Sequence, residues 1–480
     1  MKLTYNVQDR PSFGKTLVFA LQQLLAILAA TIAVPAIVGN GMSQSAALFG
    51  AGVGTLVYLL FTKFKSPVFL GSSFAFLGSM FTAFAGAYAN TTVGYVGLIL
   101  GALFAGLVYV IIAVIVKFAG VKWIGKIMPA VVIGPTVAII GLSLAGNAVA
   151  NSFGFANPQS GYPINTTSGI SFICALITLG TVVICSVYGK KLMKMIPFII
   201  GIVAGYLAAT IFTLIGIATK NPNLQIIDFT AFTRMQWIPE FTFIKAISGL
   251  SGELLEDGTT VSVTGEYILG IAIAYVPVAF VVFAEHIADH KNLSSIIEHD
   301  LLEDPGLSNT LLGDGVGSMA GAFFGGCPNT TYGESVGCVA ISGNASVTTI
   351  LYTSIMAILA SFVAPFVTFL ATIPTCVMGG VCITLYGFIA VSGLKMIQSA
   401  DLGDNRNLFV VSVVLIAGVG GMKMLFGEKQ ITITAVAAAL ILGIITNIIL
   451  SRKKDEPKAE DKPEAEDKPA EEKVEAEKAE

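Results

Sequence analysis

The stretch GGCPNTTYGE, residues 325–334, interrupts a long apolar region with glycine, proline and threonine and ends on a carboxylate. From Gly315 to Leu394, eighty residues, Glu334 is the only Asp, Glu, Lys, Arg or His. A charged side chain near the centre of a membrane helix costs roughly 2.5–3.5 kcal/mol on insertion scales, so other groups must stabilise it. Either the backbone N–H groups of a broken helix satisfy a structural carboxylate, or Glu334 binds a ligand or a proton. We favour the second interpretation.

The composition of the whole chain excludes a water-soluble fold. Of the 480 residues only 12% are charged and 55% are hydrophobic, and the mean hydropathy is +0.81. Soluble domains have roughly 25% charged residues. Apolar runs long enough to cross about 30 Å of hydrocarbon recur along the chain. We therefore predict an all-α polytopic membrane protein with fourteen transmembrane segments, at 16–38, 44–62, 67–87, 93–116, 127–146, 168–187, 195–219, 267–287, 309–325, 327–346, 347–370, 373–393, 407–425 and 431–450.

The distribution of positive charge predicts the orientation of these spans. Up to residue 454, seventeen Lys and Arg residues fall in segments that the fourteen-span scheme places inside, and five fall outside. Because Lys and Arg accumulate in short cytoplasmic loops, both termini are predicted to be cytoplasmic, in the cell (inner) membrane. Residues 451–480 are almost only Lys, Glu, Asp, Pro and Ala, which predicts a disordered charged cytoplasmic tail.

A weak internal repeat divides the predicted spans into two halves. Residues 128–134 (MPAVVIG) resemble residues 373–379 (IPTCVMG), with matching proline and glycine positions. The two copies begin spans five and twelve, and an offset of seven spans gives them opposite orientations, as in the inverted repeats of secondary transporters. The segments GSSFAF (71–76) and 325–334 occupy corresponding places in spans three and ten, and both should break the helix. Paired breaks of this kind indicate a substrate site.

A second group of titratable residues follows the eighth apolar run. Glu285 comes after eighteen uncharged residues and opens the string EHIADH. Glu285 either marks the membrane interface, with a polar loop from His286 to Asp304 after it, or lies on a helix that continues. In the second case Glu285 and Asp289 are four residues apart and share a helix face. Two carboxylates on one face repel each other as anions, which favours a site that holds a proton.

The remaining candidates have weaker signals. His286 and His290 are interpreted as loop residues, because a metal site would need further ligands that the sequence does not offer. The six cysteines lack Cys-x-x-Cys spacing, so neither a metal nor a cofactor is expected. The position of Phe74 in the sequence is equally compatible with an aromatic residue of the core, one that faces lipid, or one in the substrate site. Tyr332 and Tyr386 lie in apolar segments and need hydrogen-bond partners if they are buried, which suits groups that support a site.

Four motifs occur in a fixed order: GSSFAF at 71–76, AEH at 284–286, DPGL at 304–307 and NTTYGE at 329–334. In this order and with this span count, residues 10–450 resemble the nucleobase/ascorbate transporter family (nucleobase:cation symporter-2), particularly its bacterial uracil permease branch. The resemblance implies two inverted seven-span repeats, short antiparallel β strands in spans three and ten, and a homodimer. It divides the chain into a cytoplasmic N-terminus (1–15), a core domain (16–126 and 267–370) and a gate domain (127–266 and 371–450).

The resemblance also implies which residues bind the substrate and carry the proton. In the family, acids at the positions of Glu285 and Glu334 hold the base, aided by backbone N–H groups near Phe74 and Gly333 and by aromatic packing. The residues so assigned to substrate binding are Ser73, Phe74, Glu285, Tyr332, Gly333 and Glu334. Proton coupling is assigned to Glu285, Asp289 and Tyr386. Asp289 stands four residues after Glu285, at a position where some uracil permeases have His. A pyrimidine suits these groups, because carboxylates accept from its N–H groups and backbone amides donate to its carbonyls.

Together these observations predict a proton-coupled symporter that imports uracil by alternating access, with no cofactor and no nucleic-acid partner. The family usually has Asn-x-Gly after the acid, whereas this chain has Ser335-Val336-Gly337, so xanthine or another purine is the alternative substrate. An anion transporter of related fold is less favoured, because it would offer its substrate helix dipoles or a cation rather than two carboxylates. A membrane enzyme is disfavoured, because the sequence contains no recognisable nucleophile–base set.

Overall fold

The computed structural model describes residues 3–85, 91–121, 123–255, 258, 260–422, 424–426 and 431–451. The predicted charged tail lies outside these residues, apart from its first position. The described chain is a helical bundle with short strands. In chain order the helices are α1 (Phe13–Val38), α2 (Gln44–Phe61), α3 (Leu77–Ala85), α4 (Thr92–Ala119), α5 (Ile124–Ile127), α6 (Ala130–Ser143), α7 (Ala145–Ser152), α8 (Thr166–Tyr188), α9 (Lys191–Met195), α10 (Pro197–Ala218), α11 (Thr242–Gly249), α12 (Gly265–Ile297), α13 (Leu307–Gly325), α14 (Gly333–Ser342), α15 (Val347–Ala360), α16 (Ala364–Ala371), α17 (Thr375–Ile397), α18 (Asn405–Val419) and α19 (Ala435–Ser451).

Three antiparallel strand pairs accompany these helices. The strands are β1 (Leu70–Ser72), β2 (Glu253–Leu254), β3 (Thr260–Val261), β4 (Asn329–Thr331), β5 (Met424–Phe426) and β6 (Ile431–Ile433). They pair β1 with β4, β2 with β3, and β5 with β6. Single turns of 3₁₀ or π helix lie at Phe74–Phe76, Pro222–Leu224, Phe229–Thr233 and Leu302–Gly306.

Eight helical segments of the described chain are long and apolar enough to cross a membrane, counting α6 and α7 as one. The pair α15 and α16, bent by 83°, makes a ninth if it is counted as one span. Of the other predicted spans, span nine is the 19-residue helix α13, which is not among these eight. Spans three and ten contain strands, span thirteen ends at β5 and span fourteen begins at β6, so their helices are shorter. The chain is thus a multi-pass helical membrane protein, and the count of fourteen spans stays a prediction.

The predicted helix breaks in spans three and ten form one paired structure. Leu70 pairs with Thr331 and Ser72 with Asn329, so β1 and β4 are antiparallel, as the resemblance implied. The pair is buried on all sides. Because buried backbone groups need partners, two short strands can lie at membrane depth only when they satisfy each other. The Ser73 N–H extends the pairing by donating to the carbonyl of Pro328 at 2.9 Å.

Glycines bring α2 and α13 into backbone contact beside this strand pair. Gly50 and Gly54 on α2 face Gly321 and Gly317 on α13. A Cβ at Gly50 would lie 2.3 Å from the Gly321 carbonyl oxygen, and one at Gly317 would lie 2.6 Å from that of Gly54. Small residues four apart allow membrane helices to approach closely. The contact also holds the strand pair, because the Asn329 side chain of β4 donates a hydrogen bond of 3.2 Å to the Gly50 carbonyl of α2.

The helices pack in two groups. In the first, α1 to α4 pack among α12 to α15 around the β1–β4 pair. In the second, α6, α7, α8 and α10 pack among α17, α18 and α19. Contacts between the groups include α1 with α10 and with α17, and α12 with α6 and with α19. Pro129 and Pro374, the prolines of the predicted repeat, immediately precede α6 and α17, which pack against each other.

The structure decides between the two alternatives left open at the end of span eight. α12 continues past His286 for three more turns to Ile297, so there is no polar loop there, and the interpretation of His286 and His290 as loop residues is wrong because both are buried within the helix. The polar string EHIADH does not end the helix, because both of its faces have partners inside the protein.

Candidate functional site

A cavity of ≈ 400 Å³ lies between the two groups of helices and is called here the carboxylate cavity. The first group contributes Glu285 and Asp289 from α12, and Gly333 and Glu334 from the start of α14. The second group contributes the apolar side chains Val137, Phe198, Phe388 and Ile389 from α6, α10 and α17. Polar residues also line this side, namely Ser186 of α8, Ser392 of α17 and the cation Lys194 of the short helix α9. Four of the predicted site residues are therefore brought together at one cavity wall.

The position of Glu334 follows from the break in span ten. β4 ends at Thr331 and α14 begins at Gly333, so Glu334 lies in the first turn of a helix whose N-terminus faces the cavity. The first N–H groups of a helix lack intrahelical partners and carry partial positive charge, which stabilises a carboxylate there. A Cβ on Gly333 would lie 3.8 Å from Asp289 Oδ1, so α14 begins beside the acidic face of α12.

The acidic face of α12 consists of Glu285 and Asp289, one turn apart. Both side chains are half-buried and line the cavity. The Asp289 carboxylate also accepts a hydrogen bond of 2.7 Å from the hydroxyl of Thr331 at the end of β4. Asp289 thus links α12 directly to the strand pair, while Glu285 has no such anchor among the hydrogen bonds of the described chain.

The opposite face of α12 carries a buried network that the sequence interpretation missed. His286 Nδ1 lies 2.7 Å from Asp314 Oδ2 of α13, and His290 Nε2 lies 2.7 Å from the hydroxyl of Tyr58 on α2. The Tyr58 hydroxyl in turn lies 2.7 Å from Ser66 Oγ. All of these side chains are buried. The signal for Asp314 was available, because it is an isolated acid in an apolar span just as Glu334 is.

A further contact between groups distant in sequence fixes α14. Gln23 of α1 donates to Ser335 Oγ at 2.5 Å, and Ser335 Oγ accepts from the Phe69 N–H at 3.2 Å. Ser335 is fully buried. The residue that departs from the usual family pattern is therefore tied to α1 and to the chain entering β1, and it is not among the residues that line the cavity.

The other predicted site residues lie close to the cavity without lining it. The Tyr332 hydroxyl donates to the Ser72 carbonyl at 2.8 Å and so braces the strand pair. Ser73 is buried, and its hydroxyl has no hydrogen-bond partner in the described part of the chain. The rings of Phe74 and Tyr386 meet edge to face, with centroids 5.7 Å apart. Across the described ranges, Tyr386 makes no hydrogen bond to Glu285 or Asp289.

The DPGL motif lies away from the cavity, in the turn between α12 and α13. Asp304 accepts hydrogen bonds from Lys65 at 2.7 and 3.0 Å, which ties this turn to the segment between α2 and β1. The hydrogen bond from Lys65 lowers the pKa of the Asp304 carboxyl below its usual value. In the residues for which the structure gives positions, no three His, Cys, Asp or Glu side chains gather in a way that would hold a metal ion.

Comparison with known proteins places this geometry in a family. A family model described as "Permease family" matches residues 14–426. The chain belongs to this permease family. Two curated members are the uracil permease of Bacillus caldolyticus, 37% identical over 94% of this chain and 95% of its own length, and that of Bacillus subtilis (strain 168), 36% identical over 95% and 97%. The resemblance inferred from the four motifs is thereby confirmed, and the chain is a transporter.

Solved structures of other transporters share the permease fold at low sequence identity. The transmembrane domain of the cyanobacterial bicarbonate transporter BicA aligns with a TM-score of 0.60 and 17% identity, over 94% of this chain and 100% of that one. SLC26A9 aligns with a TM-score of 0.61 and 13% identity, over 91% of this chain and 64% of that one. At these identities the likeness extends to the fold alone.

Proposed function

We propose that this permease is a proton-coupled symporter that imports uracil by alternating access. The observation that carries the proposal is the meeting of Glu285 and Glu334, from two helices, at one cavity of ≈ 400 Å³ beside a helix N-terminus. Permeases of Bacillus that are named for uracil, at 36–37% identity over nearly the whole chain, support the choice of substrate.

Uracil matches the groups at the cavity wall. Its ring carries N–H donors flanked by carbonyl acceptors, so Glu285 and Glu334 accept from N–H while the first N–H groups of α14 donate to C=O. Hydrogen bonds to charged groups contribute roughly 1.5–3 kcal/mol each. Bases that lack these donors leave buried acceptors unpaired and are rejected. We assign supporting roles to Ser73, Phe74, Tyr332 and Gly333, which surround the helix breaks.

The proton is proposed to reside among the acids of α12. Glu285 and Asp289 face the same cavity as Glu334, and three carboxylates in one confined space repel one another as anions. Asp289 is anchored to Thr331, so Glu285 is the group free to change partners between a proton and the substrate. Tyr386 is assigned a part in this coupling through its contact with Phe74 at the boundary between the two helix groups.

The proposed architecture is that of fourteen spans in two inverted repeats of seven. The first group of helices corresponds to the core domain (16–126 and 267–370), and the second to the gate domain (127–266 and 371–450). The paired strands β1 and β4, and the prolines that precede α6 and α17, support the repeat. Both termini are proposed to be cytoplasmic. A homodimer through the gate domain is proposed on the family resemblance.

Radiolabelled uptake tests the substrate. Cells expressing the full chain are expected to take up uracil, and unlabelled uracil should compete at least about tenfold better than xanthine, because the two bases place different groups against the carboxylates. Cells with an empty vector serve as the control. Stronger competition by xanthine would support the purine alternative, and the absence of uracil uptake would overturn the proposal.

A separate experiment tests proton coupling. In proteoliposomes an inward proton gradient is expected to drive uracil accumulation above the external concentration, and a protonophore should reduce it to simple equilibration. A sodium gradient of equal size serves as the control. Accumulation that is unaffected by the protonophore would contradict the role assigned to Glu285 and Asp289.

A further inference from the structure

A second cavity of ≈ 1000 Å³ lies on the other side of the contact between Phe74 and Tyr386, and is called here the asparagine cavity. The same helices line both cavities at different heights. On α1, Ala26 lines the carboxylate cavity and Ala36 the asparagine cavity. On α17, Phe388 lines the first and Thr375 the second. The two cavities therefore lie at different depths along one interface between the helix groups, and Tyr386 lies between them on α17.

One wall of the asparagine cavity is a polar stripe. Ser143, Asn147 and Asn151 follow one another at intervals of four residues through α6 and α7, and all three line the cavity. The Asn151 side chain is only 6% exposed, and its amide makes no hydrogen bond to any residue that the structure describes. Buried polar groups are normally paired, so this amide is an open hydrogen-bonding position.

The facing wall is aromatic and apolar. Phe74 and Phe81 line it, from the 3₁₀ turn and α3 that follow β1. Among the described residues that line the cavity there is no charged side chain. An anion or a cation would find no counter-charge here, whereas a flat uncharged ring would find an aromatic surface on one side and carboxamides on the other.

We propose that the asparagine cavity is a second binding site, for a neutral planar heterocycle with adjacent C=O and N–H groups. A carboxamide both donates and accepts, so Asn147 and Asn151 can pair with the C=O and N–H edge of such a ring. The inference rests on the proposed function, because the ligand is the nucleobase itself. The base occupies this site at one membrane face, which the proposed topology makes the outer one, and passes the Phe74–Tyr386 contact to reach Glu334.

Transport kinetics from each membrane face test the second site. In membrane vesicles containing the full chain, Asn151→Leu is expected to raise the KM for uracil by about fivefold or more at one face and to leave the KM at the other face within twofold. Asn223→Ala, an exposed asparagine outside both cavities, should match the wild type at both faces. Equal changes at both faces, or no change at either, would overturn the inference. Failure of the wild type to transport uracil would instead overturn the proposed function.

Thiol labelling provides a measurement that does not require transport. Asn147→Cys is expected to react with a membrane-impermeant thiol reagent when Cys338, which lines the carboxylate cavity, is replaced by Ser, because the other five native cysteines are buried and line neither cavity. Uracil should slow this labelling several-fold, and the protection should persist when Glu334 is also replaced by Gln, because the two sites are separate. Protection that disappears with Glu334 would place the base in the carboxylate cavity alone, and labelling that uracil does not slow in either background would overturn the second site.

Discussion

Replacing Glu334 by Gln is expected to abolish uracil accumulation while leaving the permease folded in the membrane. The amide keeps the size of the side chain but replaces one acceptor oxygen by an NH₂ donor, which then opposes an N–H of the base. A hydrogen bond to a charged group contributes roughly 1.5–3 kcal/mol. At about 1.4 kcal/mol per factor of ten, uracil affinity should fall about 10- to 150-fold.

Binding of radiolabelled uracil to the purified protein, together with uptake in cells, measures this effect. Glu303→Gln is the matched control. Glu303 is an exposed acid in the turn between α12 and α13 and does not line the cavity, so this substitution removes the same charge away from the site. Wild-type affinity in the Glu334 variant would show that Glu334 is a structural carboxylate held by the start of α14, which is the alternative that the sequence left open.

Replacing Gly54 by Leu is expected to prevent the protein from folding. A Cβ at Gly54 would lie 2.5 Å from Asn329 Nδ2 and 2.7 Å from the Gly317 carbonyl oxygen. Because the second atom belongs to the backbone, α2 and α13 must separate, and Asn329 would be pushed out of β4. Overpacking by a few carbon atoms typically costs about 1–3 kcal/mol, and here the backbone cannot yield by changing rotamers.

The yield of monodisperse protein in detergent and its thermal unfolding temperature measure the effect. Gly180→Leu on α8 is the matched control, because nothing lies within 4 Å of a Cβ built at that helical glycine. We expect the Gly180 variant to resemble the wild type and the Gly54 variant to be lost during purification. Equal yields and unfolding temperatures would mean that the α2–α13 contact is not required.

The sequence predicted the helix breaks well because their causes are local. Gly, Pro and Thr between residues 325 and 334 weaken a helix in any context, and an isolated acid such as Glu334 is easily identified within an apolar segment. Predicting the pairing of β1 with β4 required the family resemblance, because the two strands are more than 250 residues apart in sequence and nothing local identifies the partner.

The errors arose where partners distant in sequence decide the outcome. The string EHIADH has the composition of a loop, yet α12 continues through it because His286 meets Asp314 and His290 meets Tyr58. A hydropathy scale assigns every polar residue an unfavourable value for transfer into the membrane. It cannot identify the polar residues that have hydrogen-bond partners inside the protein. The β5–β6 pair, where span thirteen ends and span fourteen begins, was missed for a related reason, because apolar strands and apolar helices have the same hydropathy.

The β1–β4 pair has a mechanical consequence for any protein that carries its ligand through a membrane. Two half-helices start from this pair, and the hydrogen bond from Tyr332 to the Ser72 carbonyl and the glycine contact of α2 with α13 make their common base stiff. A stiff base does not absorb displacement. The proposed alternating access of the carboxylate cavity would then occur as slip along the seam that includes Val137, Phe198, Phe388 and Ile389, where apolar side chains exchange neighbours without breaking backbone hydrogen bonds.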